Sequence, residues 1–406
     1  VTRALGASVA GEDGLRIGLE AELIPVAVDG GARVGVDAPL GQPATRPLLQ
    51  RAVARHRGTI EDGPYGVPRV RIPGVGVFSF EPGGQLELST EAFYSVDDLI
   101  AAVERILRPL ARDAEEMGIA LLTRGMDARN QVDDVPFVVT SQRHRRLRAH
   151  YDRIGPWGAR MMVLSAALHV NLDLGGRPVR RWWVANRMAA VLTALFANSP
   201  GPTDPGEEEA RSTRAEQWRR LDPSRTGLFG ADDDARGRYL AFALGALDFL
   251  GTPEGEAVRP FRAAWEEGAD LSRWRAHLST LFPEVRPRGY MEIRSVDALR
   301  PAWYSVPLVL AVGLLYDPSG LARAEEVLPP ADLTLLARAG RQGVRDTALR
   351  DAALEAFDVA LSGARDLGPR MVGGQSLERA EEFRRRFVAQ RRDPGDEPEG
   401  VDLFEV

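Results

Sequence analysis

Phe80-Glu81-Pro82-Gly83-Gly84-Gln85-Leu86-Glu87-Leu88 is the stretch on which the reading of this chain turns. Side chains two apart on a strand share a face. Gln85 and Glu87 therefore lie on one side and Leu86 and Leu88 on the other. Pro82-Gly83-Gly84 is a turn signal, and a three-residue turn brings Glu81 opposite Gln85 onto the same polar face. With the apolar residues 75–80 leading into it, the segment predicts a hairpin that carries carboxylates along one side.

Three other segments repeat the pattern. In Gly18-Leu19-Glu20-Ala21-Glu22 the two glutamates share a face. In Leu168-His169-Val170-Asn171-Leu172-Asp173 the polar trio alternates with the apolar trio. In Tyr290-Met291-Glu292-Ile293-Arg294, Glu292 and Arg294 alternate with Met291 and Ile293. One alternating strand is what any half-buried sheet shows. Carboxylates, however, are depleted in strands, and side by side they repel unless cations lie among them. Mg²⁺ takes oxygen ligands, commonly one or two carboxylates together with substrate phosphate. The pattern therefore points to metal-bridged phosphates, with arginine stabilising the transferred group. Arg294 is on the face with Glu292, and Arg214, Trp218 and Arg225 fall in a stretch expected to supply substrate contacts.

Composition removes several alternatives. The 406 residues include no cysteine, which excludes disulfides, thiolate metal sites and a cysteine nucleophile. No lysine occurs either, so all 52 basic residues are arginine and a Gly-Lys-Ser/Thr phosphate loop is absent. The net charge of −6 argues against a general nucleic-acid binder, and the run Arg143-His144-Arg145-Arg146-Leu147-Arg148 is too short a footprint to reverse that. No stretch reaches the roughly 18 apolar residues of a membrane span. With no secretory signal visible, a cytoplasmic protein without membrane or nucleic-acid partners is expected.

Elsewhere, residues 15–28 read as a strand, and residues 95–117 as a helix capped by Ser95 with Leu99, Val103, Ile106 and Leu110 as its stripe. Residues 161–174 read as a strand, 179–197 as a helix, 201–230 as loop, 241–250 as helix, 290–296 as strand and 306–315 as a short buried helix. The expected organisation is one α+β catalytic domain, residues 1–391, followed by an acidic, disordered tail, residues 392–406.

The segment 80–89 closely resembles the signature of the plant-type glutamate–cysteine ligases, a family shared with many bacteria. Further matches follow in order. Gly18 to Glu22 is similar to the first metal-binding strand, and Val170-Asn171-Leu172-Asp173 and Ala197-Asn198-Ser199-Pro200 to central segments. Ser212 to Arg214, Trp218, Asp222 and Arg225-Thr226-Gly227 are similar to the substrate loop. Thr280 to Arg286 and Met291-Glu292-Ile293-Arg294 resemble the last active-site strand.

The resemblance implies a glutamine-synthetase-like fold, a curved and mostly antiparallel β-sheet funnel with helices packed outside. It implies ATP- and Mg²⁺-dependent ligation of the γ-carboxylate of L-glutamate to the amine of L-cysteine, through γ-glutamyl phosphate, with Mn²⁺ as a possible substitute ion. By position, Glu20, Glu22, Glu81, Glu87, His169 and Glu292 would hold metal, with Glu87 and Arg294 catalytic. Gln85, Asn171, Arg214, Trp218, Arg225 and Arg294 would contact substrate or ATP. A monomer or homodimer feeding glutathione or ergothioneine synthesis is the expectation. The alternatives are a related ligase making another γ-glutamyl amide, or a non-catalytic ATP- or glutamate-binding protein.

Three positions depart from the family pattern. His169 stands where plant enzymes often carry glutamine, although a more distant bacterial branch uses a histidine ligand there. Ser295-Val296-Asp297-Ala298-Leu299 replaces Gly-Ala-Asp-Gly-Gly, and Ser89-Thr90-Glu91 replaces Ser-Gly-Ala.

Overall fold

The hairpin expected around Pro82-Gly83-Gly84 is present. The computed structural model describes residues 14–231, 234–253, 256–399 and 402–405. In chain order the strands are β1 (Ile17–Ala27), β2 (Thr59–Asp62), β3 (Pro68–Ile72), β4 (Gly76–Phe80), β5 (Leu86–Thr90), β6 (Ile119–Leu122) and β7 (Ala167–Leu172). They continue with β8 (Gly201–Pro202), β9 (Glu209–Ala210), β10 (Val285–Pro287) and β11 (Met291–Asp297). Strands β4 and β5 pair antiparallel with Phe80 opposite Leu86, and the Glu81 N–H donates to the Gln85 carbonyl at 2.9 Å. Gly84 takes φ +79°, and a Cβ on Gly83 would lie 2.4 Å from the Val163 carbonyl oxygen. Both glycines are therefore required, one by conformation and one by close approach.

The main sheet has nine strands in the order β10-β11-β7-β1-β5-β4-β3-β2, with β6 also pairing β1, and every pairing is antiparallel. One face carries Leu19, Ala21, Leu23, Phe78, Leu86, Leu88, Leu168, Val170, Leu172, Met291 and Ile293 into the main core. That core also contains residues of the helices Val96–Glu116, Pro178–Leu195, Ser305–Leu315 and Thr347–Leu367. Burial of this apolar face is what orients the polar face toward the cleft, because a one-residue slip would exchange the two. The Ser95 hydroxyl accepts from the Asp98 N–H at 3.2 Å, the cap expected for the helix that follows. Among the described residues, no single helix is long and apolar enough to cross a membrane.

Some local readings are corrected. Residues 161–164 are the end of a helix, Trp157–Leu164, and the strand begins only at Ala167. Met161-Met162-Val163-Leu164 is buried on every side, and such a run has no period to distinguish helix from strand. The stretch read as loop over 201–230 contains the β8–β9 pair and a helix, Thr213–Arg219, capped by the Ser212 hydroxyl. The helix expected over 241–250 is Ala235–Gly245.

Residues 392–399, within the segment expected to be disordered, are docked. Asp393 is fully buried and accepts two hydrogen bonds from Arg211, at 2.9 and 2.5 Å. Asp396 accepts from Arg211 and Arg345, and Glu397 from Arg300. The acidic residues that suggested repulsion meet arginines contributed from distant positions, which composition alone does not reveal. Removing one member of a buried pair leaves the other charge uncompensated, at a cost of roughly 3–5 kcal/mol. Asp393→Ala is expected to lower the melting temperature by several degrees, read by calorimetry; an unchanged midpoint would show that the pair contributes little.

Candidate active site

Sheet register assembles the site. Across six adjacent strands, Arg286 pairs with Glu292, Glu292 with Asn171, His169 with Glu20, Glu20 with Ser89, Glu22 with Glu87, and Glu87 with Ser79. All belong to the polar face, and all but Ser79 and Glu292 line a cavity of about 620 Å³, Glu292 being fully buried beneath its arginines. Glu20, Glu22, Glu81 and Glu87 border it on the carboxylate side, and Arg143, Arg214, Arg286, Arg288 and Arg294 border it on the cationic side.

The carboxylates form two groups. In the first, ligand atoms of Glu20, His169 and Glu292 lie within 4.8 Å of one another. The Nδ1 of His169 is 3.0 Å from a Glu20 oxygen, while its Nε2 is buried without a partner. If Nδ1–H donates to the carboxylate, Nε2 presents a bare lone pair toward this group. The other Glu20 oxygen accepts from the Asn171 amide at 3.1 Å. Burial alone would raise Glu292, but Arg286 and Arg294 hold it well below the ordinary carboxylate range. Arg286 grips it through two bonds, at 2.5 and 2.8 Å, with Arg288 and Arg294 at 3.2 and 3.3 Å.

The second group is Glu22, Glu81 and Glu87, again within 4.8 Å of one another. Burial, and then the charge of Glu87, pushes Glu22 up to about 8. Burial and Glu22 push Glu81 to about 7, and burial with Glu81 pushes Glu87 to about 8. The Ser79 and Ser89 hydroxyls donate to one Glu87 oxygen at 3.0 and 2.7 Å, and the Ala167 N–H donates to Glu22 at 2.8 Å. Three clustered carboxyls that favour protons at neutral pH are a donor set suited to a hard divalent cation, whose charge would replace those protons.

The residues expected to face substrate divide. The Arg294 guanidinium lies 5.3 Å from the Trp218 ring centroid and 5.7 Å from that of Phe282, walled on its outer side by aromatics. Arg214 donates to the Arg294 carbonyl at 3.0 Å and has a buried, unpartnered Nε; the Trp218 indole N–H is also unpartnered. Gln85 borders the cavity, but its amide is committed to the turn: it accepts from the Gly83 N–H at 2.9 Å and donates to the Ser165 carbonyl at 2.8 Å. Arg225 does not reach the cavity. It is fully buried, bonded to Asp222, Thr280 and the Leu247 carbonyl, and serves as a clamp between segments.

Arg143 is a site residue that the pattern reading passed over. It sits on the helix Gln142–Asp152, is anchored to Ser279 at 2.9 and 2.6 Å, and lies at the cavity beside Glu81. Its neighbour Arg146 instead caps three carbonyls, of Phe249, Leu250 and Thr252. A helical projection of 142–152 separates Arg143 from exposed Arg145 and was the available signal. Arg286 was legible through the same alternation as Glu292, once Val285–Pro287 is taken as a paired strand.

Comparison with known proteins bears on the family and the fold. The sequence pattern described as Glutamate-cysteine ligase family 2 (GCS2) matches residues 16–390. The chloroplastic glutamate–cysteine ligase of Medicago truncatula is 32% identical over 276 residues, 63% of this chain and 53% of that protein. Glutamate–cysteine ligase EgtA of Mycolicibacterium smegmatis is 30% identical over 346 residues, 80% of this chain and 78% of that protein. The chain thus spans about half the length of the plant relatives it matches. Among solved structures, a bifunctional glutathione synthetase from Pasteurella multocida superposes with a TM-score of 0.57 at 16% identity, covering 99% of this chain and 52% of that one. A glutamate–cysteine ligase from Francisella tularensis, in complex with AMP, superposes at 0.51 and 14% identity, covering 94% and 83%. At these identities the likeness establishes the fold, a glutamine-synthetase-like sheet with helices behind it.

A pH test follows from the second group. Carboxyls held above their ordinary value of 4.5 retain protons in the folded state that the unfolded chain has released. Stability without divalent cation therefore falls as pH rises through about 7 to 8. Melting curves in EDTA from about pH 6 to 9 should decline, and Mg²⁺ should offset the decline with release of protons. A midpoint that climbs with pH in EDTA would contradict this ionisation.

Proposed function

This chain belongs to glutamate-cysteine ligase family 2, and from that premise we propose that it joins the γ-carboxylate of L-glutamate to the amine of L-cysteine at the expense of ATP. The observation that carries the reading is the row of cleft-facing glutamates on adjacent strands, closed on one side by Arg214 and Arg294. Oxygen-rich donors with one imidazole fit Mg²⁺, with Mn²⁺ as a substitute. Glu22, Glu81 and Glu87 would hold one ion, and Glu20, His169 and Glu292 another. When bound, such ions supply positive charge to the ATP phosphates and to the oxygens between which phosphoryl passes.

The residues of the chain do the remaining work. A carboxylate is a poor electrophile, so a γ-carboxylate oxygen first takes the γ-phosphoryl group, the bond to the β-phosphate oxygen breaks, and ADP leaves. Arg294, fixed between Glu292 and the two aromatic rings, faces the negative charge that spreads over the moving group. Arg214 and Arg143 present fixed cations for the substrate's carboxylate or phosphate groups. The neutral amine then attacks the acyl carbon, and phosphate departs with the electrons of the C–O bond. The amine gives up its proton as the C–N bond forms, to a nearby carboxylate or to water. The surrounding wall of Leu147, Met161, Met162, Trp218 and Phe282 limits water access to the acyl phosphate.

The deciding assay is release of ADP and phosphate from ATP, Mg²⁺ and glutamate, with and without a panel of amines. Strong stimulation by cysteine, with a product of the mass of γ-glutamylcysteine, is expected; stimulation by a different amine only would change the acceptor. Glu87→Gln and Arg294→Ala are each expected to lower kcat by about a thousandfold or more while the fold persists. Near-normal turnover in either would sink the assignment. Arg143→Ala should lower kcat/KM by at least about tenfold while Arg145→Ala stays near wild type, and equal effects would remove Arg143 from the site.

A further inference from the structure

Strand β11 carries an irregularity that redirects one side chain. Ile293 pairs with Val170 and Val296 pairs with Leu168, so β11 spends one more residue than β7 between these two points. This is a β-bulge, with Arg294 and Ser295 together facing His169. Without it, simple alternation would send Val296 toward the cleft with Glu292 and Arg294. With it, Val296 enters the main core, and Asp297 stands opposite Ala167, on the side of His169 and Asn171.

Asp297 sits in a dense set of hydrogen-bond donors, although burial still holds its carboxyl above the ordinary value. It is 2% exposed. One carboxylate oxygen accepts from the Asn198 N–H at 2.8 Å and the Ser199 hydroxyl at 2.7 Å. The other accepts from the Ser212 hydroxyl at 2.9 Å and lies 3.6 Å from Nη1 of Arg214. Glycine at 125 makes room for it, since a Cβ there would fall 2.6 Å from the carboxyl carbon. Arg214 in turn faces Glu22 across the cleft floor and has no other carboxylate partner among its ion pairs in the described residues.

We propose that Asp297, turned inward by the bulge, is the positioning residue that holds Arg214 against the cleft. Resting on the ligase reading, this assigns Asp297 an effect on the reaction although it touches no substrate. Ser199 and Ser212, which donate to its two oxygens, belong to backbone segments locked together by Ser199 N–H to Arg211 carbonyl and Thr213 N–H to Ser199 carbonyl bonds. Asp393 grips Arg211 from behind, so the docked C-terminal segment braces the same mount.

The test is a double-mutant cycle on the full chain, with Asp297→Asn, Arg214→Gln and the pair, measuring kcat, KM for glutamate and melting temperature. Asp297→Asn should cost at least about tenfold in kcat/KM, divided between kcat and KM as in Arg214→Gln, and the pair should lie within about twofold of Arg214→Gln alone. Asp297→Asn within about twofold of wild type, or a pair whose loss is the product of the single losses, would overturn the proposal. Should Asp297→Asn not fold, Gly125→Ala displaces the same carboxylate without changing it, and the same comparisons apply. If the wild type turns over no substrate, the ligase reading fails, and a crystal structure of Asp297→Asn decides the inference separately. An Arg214 guanidinium displaced from its wild-type position supports it; an unmoved one overturns it.

Discussion

Repulsion among carboxylates that share one buried sheet face is the constraint from which most of this architecture follows. Glu20, Glu22, Glu81, Glu87 and Glu292 cannot all be ionised in a dry cleft without compensation. The chain answers this differently along the row. Glu292 lies beneath three arginines and stays charged; Glu20 has an imidazole and an amide; Glu22, Glu81 and Glu87 have hydroxyls and one backbone N–H, which fall short of a full charge. The deficit at that end is what a divalent cation would fill. Holding such groups together requires a scaffold that cannot relax, and the apolar reverse face packed against helices provides it.

With no lysine in the chain, arginine serves both as structural clamp and as site cation. Arg225 and Arg146 satisfy buried carbonyls and hold segments together, whereas Arg143, Arg214 and Arg294 keep part of their donor capacity toward the cavity. The guanidinium fork suits both tasks, so residue type does not tell them apart. What separates them is whether the surrounding carbonyls and carboxylates consume every donor, and that is a tertiary property.

This explains which features were legible beforehand. Period-two alternation is a local consequence of strand geometry, so the hairpin at 80–88 and the polar faces of β1, β7 and β11 could be read from residue order. Register pairing then joined them as expected. The helix at Trp157–Leu164 was not legible because an all-apolar run carries no period. Docking of residues 393–397 depends on Arg211 and Arg300, far away in sequence. The bulge in β11 is equally hidden, because one extra residue alters facing without altering composition, and it sends Val296 to the core and Asp297 to the opposite side.

The positions that depart from the family pattern lie beside the site, yet their polar groups are mostly turned into the scaffold. The Thr90 hydroxyl accepts from the Leu19 N–H at 2.9 Å, joining β5 to β1. The Ser295 hydroxyl donates to Glu284 at 2.6 Å, within the bulge. Ser89, which follows the pattern, steadies Glu87. Such substitutions exchange backbone freedom for hydrogen bonds in the sheet, and leave the wall of Leu147, Met161, Met162, Trp218 and Phe282 to shape the remaining space. That wall rises from helices and a loop rather than from the sheet. It is anchored to the hairpin corner by Arg33, which donates to the Gly83 and Val163 carbonyls at 2.6 and 3.1 Å. Under the proposed reading, carboxylate activation belongs to the rigid sheet and choice of amine to the helical wall. A change of acceptor within this architecture would then require altering side chains at the wall while the glutamate row stays as it is.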